Sequence, residues 1–395
     1  MKLLIYSHFF APSIGGVENS VQSLATGLQE LSNARGAPAF DVTAVTQTPA
    51  ESFDDSALPF RVVRRPGLTR LWRLVRGSHL LHIAGPALAP LILGFLARKP
   101  TVVEHHGYQA ICPNGILIYQ PDGTICPGHF QARRYGNCVR CQNCELPPHR
   151  SVLSVLLTLV RSWLVRGVAK NLAITRHVLD RHNLPHAQVL YYGIPDPVVE
   201  GSSGTAKNVA GTISFAFVGR FVPEKGIPVL LQAVRQLIAE GEQFQLWLIG
   251  DGPERTRLEG IIKHDQLRDH VHITGYLASA ALVDALRNVQ VVVMPSVWEE
   301  TAGLAAIEQM MRGRLVIASD VGGLSEVLAD TGLRFAPGDA VALAACMRRA
   351  LHEPATVETM GREARLRALS LFARPRMIDE HQRVYEEALA GRAAL

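Results

Sequence analysis

Met294-Pro295-Ser296-Val297-Trp298-Glu299-Glu300-Thr301-Ala302-Gly303-Leu304-Ala305-Ala306-Ile307-Glu308 is the stretch on which the reading of this chain turns. An apolar strand, Val291–Met294, ends where a loop carrying two carboxylates begins, and a helix starts near Gly303. Strand, loop and helix in that order form one unit of a parallel α/β sheet. Working outward, the unit recurs. Strands are expected at Ser214–Val218, Gln245–Ile249, Val271–Thr274 and Leu315–Ala318. Helical patterns lie at Ile227–Glu240, Glu254–His264, Ala278–Asn288, Gly303–Arg312 and Ala340–Leu351, with a last amphipathic helix over Pro375–Ala390. The first half repeats the scheme, with strands at Lys2–Tyr6, Asp41–Thr46, Leu80–Ile83 and Thr101–Glu104 and helices at Val17–Leu31 and Ser151–Ala169. Glu200-Gly-Ser-Ser-Gly-Thr-Ala-Lys207 reads as a linker between the halves. The expected fold is α/β, two Rossmann-like doubly wound domains with a ligand cleft between them. The domains are placed at 1–198 and 199–372, with 373–395 a C-terminal helix packing back on the first domain.

Composition agrees with two folded domains. The 395 residues are 48% hydrophobic and 19% charged, which excludes intrinsic disorder. The net charge of +5 is unevenly spread. Residues 1–195 hold 19 Lys+Arg against 10 Asp+Glu, a net of +9, and the remainder is at −4. The N-terminus lacks a signal-peptide pattern. Neither Leu80–Ala97, with His82, Pro86 and Pro90, nor Ser151–Val160 supplies the ~20 apolar residues of a membrane span. The expected location is cytoplasmic, peripheral on the inner face of a membrane.

Several motifs carry chemistry. Gly15-Gly16 follows the first strand and opens a helix, so its backbone can approach a phosphate at the helix N-terminus. Gly219-Arg220 through Lys225-Gly226 follows another strand; Arg220 as a fork and Lys225 as a point charge suit a diphosphate. Gly250-Asp251-Gly252-Pro253 is half of a dinucleotide fingerprint, better read as a turn beside a nucleotide. Glu300 and Glu308 flank the helix N-terminus near Gly303, so they can grip hydroxyls on either side of a bound phosphate.

In this order, with His106-Gly107 after a strand and Val321-Gly322-Gly323 to Glu326 after another, the set resembles the family 4 glycosyltransferases, retaining enzymes of the GT-B fold. The resemblance implies that Gly15 and Gly16 back the donor and that Arg220 and Lys225 bind its diphosphate. It places Glu300 on the donor-sugar hydroxyls and Glu308 on the nucleotide ribose. Gly219, Gly250, Thr301, Gly303 and Leu304 complete the donor site, and His106 orients the sugar, with His105 as rival. Ala302 departs from the family, which usually has Phe there. No Asp-x-Asp pair occurs, so no catalytic cofactor or metal is expected. The implied reaction moves a sugar from a UDP- or GDP-sugar to a glycan or lipid-linked acceptor. A nucleotide-sugar epimerase, a disaccharide synthase or a non-catalytic metal or redox scaffold are the alternatives.

Cys112, Cys126, Cys138, Cys141 and Cys144 fall in an insertion at about 108–149, and Cys346 stands apart. Clustered Cys-x2-Cys spacings suit a structural zinc; a similar Cys-Pro-Asn-Gly…Cys…Cys-x2-Cys insertion in some members of the resembled family implies Cys112, Cys126, Cys138 and Cys141 as its ligands, with Cys144 as the alternate. Iron–sulfur and disulfides are the other readings. Arg61, Arg64, Arg65, Arg70, Arg73 and Arg76 interleave with Leu68, Leu71 and Trp72, and Arg161, Arg166 and Lys170 accompany Trp163. Both basic stretches suit an anionic membrane surface. Nucleic acid is not an expected partner, because no recognition motif accompanies the charge.

Overall fold

A computed structural model describes the chain except residues 14, 35–39, 52, 198–212 and 394–395. The linker read at Glu200–Lys207 lies outside the described residues. The chain divides into two compact units, Met1–Ile194 with Ala373–Leu395, and Pro195–Phe372.

The first unit is built on strands β1 (Lys2–Ser7), β2 (Asp41–Thr46), β3 (Arg61–Arg64), β4 (Leu80–Ala84) and β5 (Thr101–His105). A small hairpin, β6 (Ile118–Tyr119) and β7 (Thr124–Ile125), precedes β8 (Lys170–Ala173) and β9 (Ala187–Val189). The seven-stranded sheet runs β3-β2-β1-β4-β5-β8-β9, with every pair parallel. Leu3, Leu4, Ile5 and Tyr6 are all buried, so both faces of β1 are covered. Helices on each side of a parallel sheet require such continuous apolar strands. The last helix, Arg374–Ala393, belongs to this unit, where Arg374 pairs with Glu30 at 2.9 Å and Glu387 with Lys170 at 2.6 Å.

The second unit holds β10 (Ser214–Val218), β11 (Gln245–Ile249), β12 (Val271–Gly275), β13 (Val291–Met294), β14 (Leu315–Ser319) and β15 (Leu333–Phe335). Their order, β12-β11-β10-β13-β14-β15, is again fully parallel. Phe215, Phe217, Phe221 and Phe244 fill the core against Leu230, Leu231, Val234 and Leu237 of the helix Ile227–Ala239. Each such side chain contributes roughly 1.5–3 kcal/mol on burial. Asp339 caps the helix Ala340–His352 by accepting from the Ala342 amide at 2.9 Å.

Two sequence readings need correction. Arg61 and Arg64 lie on β3 rather than on a basic amphipathic face. Arg64 is an internal brace, bonding Asp55 through two nitrogens at 2.7 and 2.8 Å and the carbonyls of Ala11, Thr48 and Pro49. The helix read over Ser151–Ala169 spans Pro148–Leu164, and Lys170 opens β8 instead of extending its basic face.

Candidate functional site: the strand ends of the second unit

In the second sheet the strand order reverses between β10 and β13. Loops leaving the carboxyl ends of two such strands part to opposite faces and leave a crevice, the usual ligand position in open α/β sheets. Two of the motifs read as donor-binding, Gly219–Gly226 after β10 and Glu300–Glu308 after β13, leave the sheet here.

After β10 the chain makes one tight turn, Pro223–Lys225, closed by Gly226 at φ +66°. A Cβ on Gly226 would lie 2.0 Å from the Pro295 carbonyl oxygen, so only glycine allows the two loops to meet. The Val297 amide donates to the Glu224 carbonyl at 2.9 Å and fixes that approach. Lys225 Nζ then donates to Glu300 Oε1, which also accepts from Ser296 Oγ at 2.8 Å. Glu300 is 4% exposed and its Oε2 accepts no hydrogen bond among the described residues. Lys225 Nζ lies 5.9 Å from the centre of the Trp298 ring. The Glu300 backbone is clamped by the next loop, where the Gly323 amide donates to its carbonyl at 2.6 Å. Gly322, at φ +60°, has no room for a Cβ, which would fall 2.5 Å from the same carbonyl oxygen.

Gly303 caps the helix Leu304–Met311, whose first amides have no preceding turn to bond and face the loop with the positive end of the helix dipole. Glu308 lies on this helix, only partly exposed, and burial pushes its carboxyl above the usual range. Arg220 is exposed and forms no ion pair among the described residues. The Gly219 amide donates to the Ile249 carbonyl and the Gly250 amide to the Gly275 carbonyl, each at 3.0 Å, tying adjacent strand ends together. Asp251 of the same turn is paired with Arg255 at 2.7 Å. The structure thus joins Lys225 to Glu300 directly. Sequence reasoning missed Ser296 and Trp298, both inside the quoted stretch; the hydroxyl four residues before Glu300 was the available signal.

In the first unit, Gly15 precedes the helix Gly16–Ala34. The Glu18 carboxylate folds back over Gly15 and accepts from Ser13 Oγ at 3.1 Å, so an acid of this chain already sits at that helix N-terminus. His105 is a core residue, bonded to Asn171 Oδ1 at 2.9 Å, with burial holding its imidazole well below the ordinary range. The His106 side chain is 4% exposed, Nδ1 lies 2.8 Å from the Tyr192 hydroxyl, and Nε2 faces Glu104. Burial also lowers its pKa.

Cys112, Cys126, Cys138 and Cys141 are all buried and line one cavity of about 10 Å³, whereas Cys144 is exposed. None of the six cysteines forms a disulfide. Burial, then the neighbouring thiols, push Cys138 up to about 12 and, with burial again first, Cys141 to about 11. Ionising them together needs a cation in their midst.

The helix Pro148–Leu164 exposes Val152, Leu153, Leu156, Val160 and Trp163, the last at 70%. Trp163 stacks on Phe95 of the helix Leu88–Leu96, which exposes Ile92 and Leu96 beside it. No helix among the described residues is long and apolar enough to cross a membrane.

Residues 206–367 match the family described as Glycosyl transferases group 1. The 2-deoxystreptamine glucosyltransferase of Streptomyces kanamyceticus is 31% identical over 218 residues, 51% of this chain and 56% of that one. The alpha-D-kanosaminyltransferase of the same organism is 33% identical over 150 residues, covering 38% and 39%. The chain therefore spans roughly half or less of these curated relatives' length. Among solved structures, HepE from Anabaena in complex with UDP and glucose superposes with a TM-score of 0.72, at 16% identity over 98% of this chain and 99% of that one. Sucrose-phosphate synthase from Thermosynechococcus elongatus gives 0.72 at 21% identity, covering 99% of each. These likenesses place the fold among the GT-B structures.

Proposed function

We propose that this chain, whose residues 206–367 belong to the glycosyl transferases group 1, is a retaining glycosyltransferase that takes a sugar from a nucleotide-diphosphate donor without a metal. The observation that carries the reading is the contact between Lys225 and Glu300 beside a helix N-terminus at the point where the strand order reverses. A glycosyl diphosphate has two ends to recognise, and the two residues answer them. The free Oε2 of Glu300 accepts from donor-sugar hydroxyls. Lys225, Arg220 and the amides of Gly303 and Leu304 meet the diphosphate, with Gly219, Gly250 and Thr301 shaping its surroundings. Neutralising the charge that grows on the departing diphosphate is the term expected to dominate catalysis. Glu308 takes the ribose. The leaving phosphate accepts the acceptor's proton on the face that it vacates, so no carboxylate base is required.

In the first unit, Gly15 and Gly16 back the donor, and His106 orients its sugar. With both ring nitrogens of His106 turned inward, that role requires the ring to turn when donor binds. The HepE structures with UDP and with UDP-glucose support a UDP-sugar as donor. The acceptor is a glycan or a lipid-linked glycan. The apolar face around Trp163 supports peripheral contact with the inner face of a membrane. The four buried cysteines hold a structural zinc.

Calorimetry with UDP- and GDP-sugars tests the reading. Glu308→Ala is expected to weaken donor binding at least about tenfold, equivalent to roughly 1.4 kcal/mol. Unchanged affinity contradicts the assignment, and a free epimerised sugar or a small disaccharide as sole product replaces it with the neighbouring activities.

A further inference from the structure

We propose that His82, Glu104 and His381 form a second metal site in the first unit, for a zinc-class divalent cation. His82 and Glu104 stand on adjacent strands, β4 and β5, whose register pairs His82 with Val102 and Ala84 with Glu104, so both side chains project from one face. His381 and Tyr385, one turn apart on the last helix, reach the same place. The distances from Glu104 Oε2 to the Nε2 atoms of His82, His106 and His381 are 3.3, 3.6 and 3.7 Å. Ligand atoms of His82, Glu104 and His381 all lie within 4.8 Å of one another. The side chains of His82 and His381 are 0% exposed and that of Glu104 2%, yet none of the three Nε2 atoms makes a hydrogen bond.

The opposite ring nitrogens decide what the Nε2 atoms carry. His381 Nδ1 lies 2.9 Å from the Met377 carbonyl oxygen. A carbonyl only accepts, so that nitrogen holds the proton and a neutral His381 presents a bare Nε2 lone pair. The lone pair faces a carboxylate oxygen 3.7 Å away, both groups buried. Two acceptors buried face to face need a cation between them. A shared proton would draw nitrogen and oxygen to about 2.7–2.9 Å. A tetrahedral zinc with bonds of about 2.0–2.2 Å holds its donors roughly 3.3 Å apart. The observed 3.3–3.7 Å belongs to the second case.

The surroundings are those of a metal ligand shell. Tyr385 Oη lies 3.0 Å from His82 Nδ1 and fixes that ring by the nitrogen turned away from Glu104. Imidazole with one carboxylate suits zinc better than a hard cation such as magnesium. The ion would staple the last helix to β4 and β5, a structural task separate from sugar transfer and from the cysteine cavity.

The test is zinc-edge anomalous diffraction from crystals of the full chain grown with two equivalents of zinc. The expected map has a peak within bonding distance of His82 Nε2, Glu104 Oε2 and His381 Nε2, distinct from any peak at the cysteines. His381→Gln is expected to remove that peak and lower the zinc content of the purified chain by one per molecule. Because the map of the unaltered chain decides the matter, the test stands even where the variant fails to fold. A map without density between these three residues overturns the proposal and leaves a proton to close the cluster.

Discussion

Replacing Lys225 by alanine puts the core of the site under the most direct strain. Its ammonium is the cationic partner of a carboxylate whose side chain is 6% exposed, and the lysine side chain itself is 20% exposed. Breaking a fully buried pair costs about 3–5 kcal/mol, because the remaining charge is stranded. Two features reduce that figure here. Ser296 still donates to Glu300 Oε1, and the space left by the lysine opens toward solvent. The expected loss is therefore about 2 kcal/mol, a thermal shift of roughly 4–8 °C for a unit of this size. Unfolding followed by tryptophan fluorescence, with Trp72 and Trp163 of the first unit replaced by Phe, reports on the second unit, where Trp298 has its ring centre 5.9 Å from Lys225 Nζ. Glu300→Gln should cost less, since an amide keeps an acceptor for Ser296 without a stranded charge. The double variant should recover about 1–2 kcal/mol relative to the sum of the singles. Turnover should fall about 10²–10³-fold in Lys225→Ala as transition-state charge loses a partner. A stability loss below about 0.5 kcal/mol with no coupling in the cycle would refute the claim that Lys225 holds Glu300.

Four other outcomes are expected. Glu308→Gln should raise the thermal midpoint of the free chain while it weakens donor binding. Burial raises the folded pKa of Glu308, so its contribution to stability is present at acid pH and lost as pH rises through that pKa; the advantage of the variant should shrink on acidification. Gly226→Ala forces a left-handed backbone and a Cβ 2.0 Å from the Pro295 carbonyl. It should cost more than about 1 kcal/mol and abolish donor binding measured by calorimetry. Cys138→Ser should release one zinc per chain by elemental analysis and lower the thermal midpoint, whereas Cys144→Ser, at an exposed thiol, should do neither. Leu153→Glu with Leu156→Glu should reduce co-sedimentation with vesicles rich in anionic lipid at least severalfold, since both leucines are exposed on one helix face.

The inner strands were legible because burial on both faces makes them mostly apolar; Val291, Val292 and Val293 admit no other reading. The shortest strands of the two sheets were not. β3, β8, β9 and β15 are three or four residues long, and charged residues in β3, β8 and β15 hide the pattern. The donor motifs were legible as spacings after strands, but the bond between Lys225 and Glu300 joins residues 75 apart and depends on which two strands lie side by side. Sheet order is a tertiary property that local pattern does not encode. The histidine cluster was hidden for the same reason, since Tyr385 meets His82 across 303 residues. His106 was found as a residue after a strand; its neighbours Glu104 and Tyr192 became visible only in the fold.

Titration calorimetry of the full chain with UDP-, GDP- and ADP-sugars in the presence of EDTA tests the central claim most directly. The account predicts saturable one-to-one binding of at least one of these donors, with no dependence on added magnesium and a loss of at least about 100-fold, or roughly 2.7 kcal/mol, in the Lys225→Ala and Glu300→Gln double variant. Binding of none of the donors, or binding that survives the double variant undiminished, would contradict it.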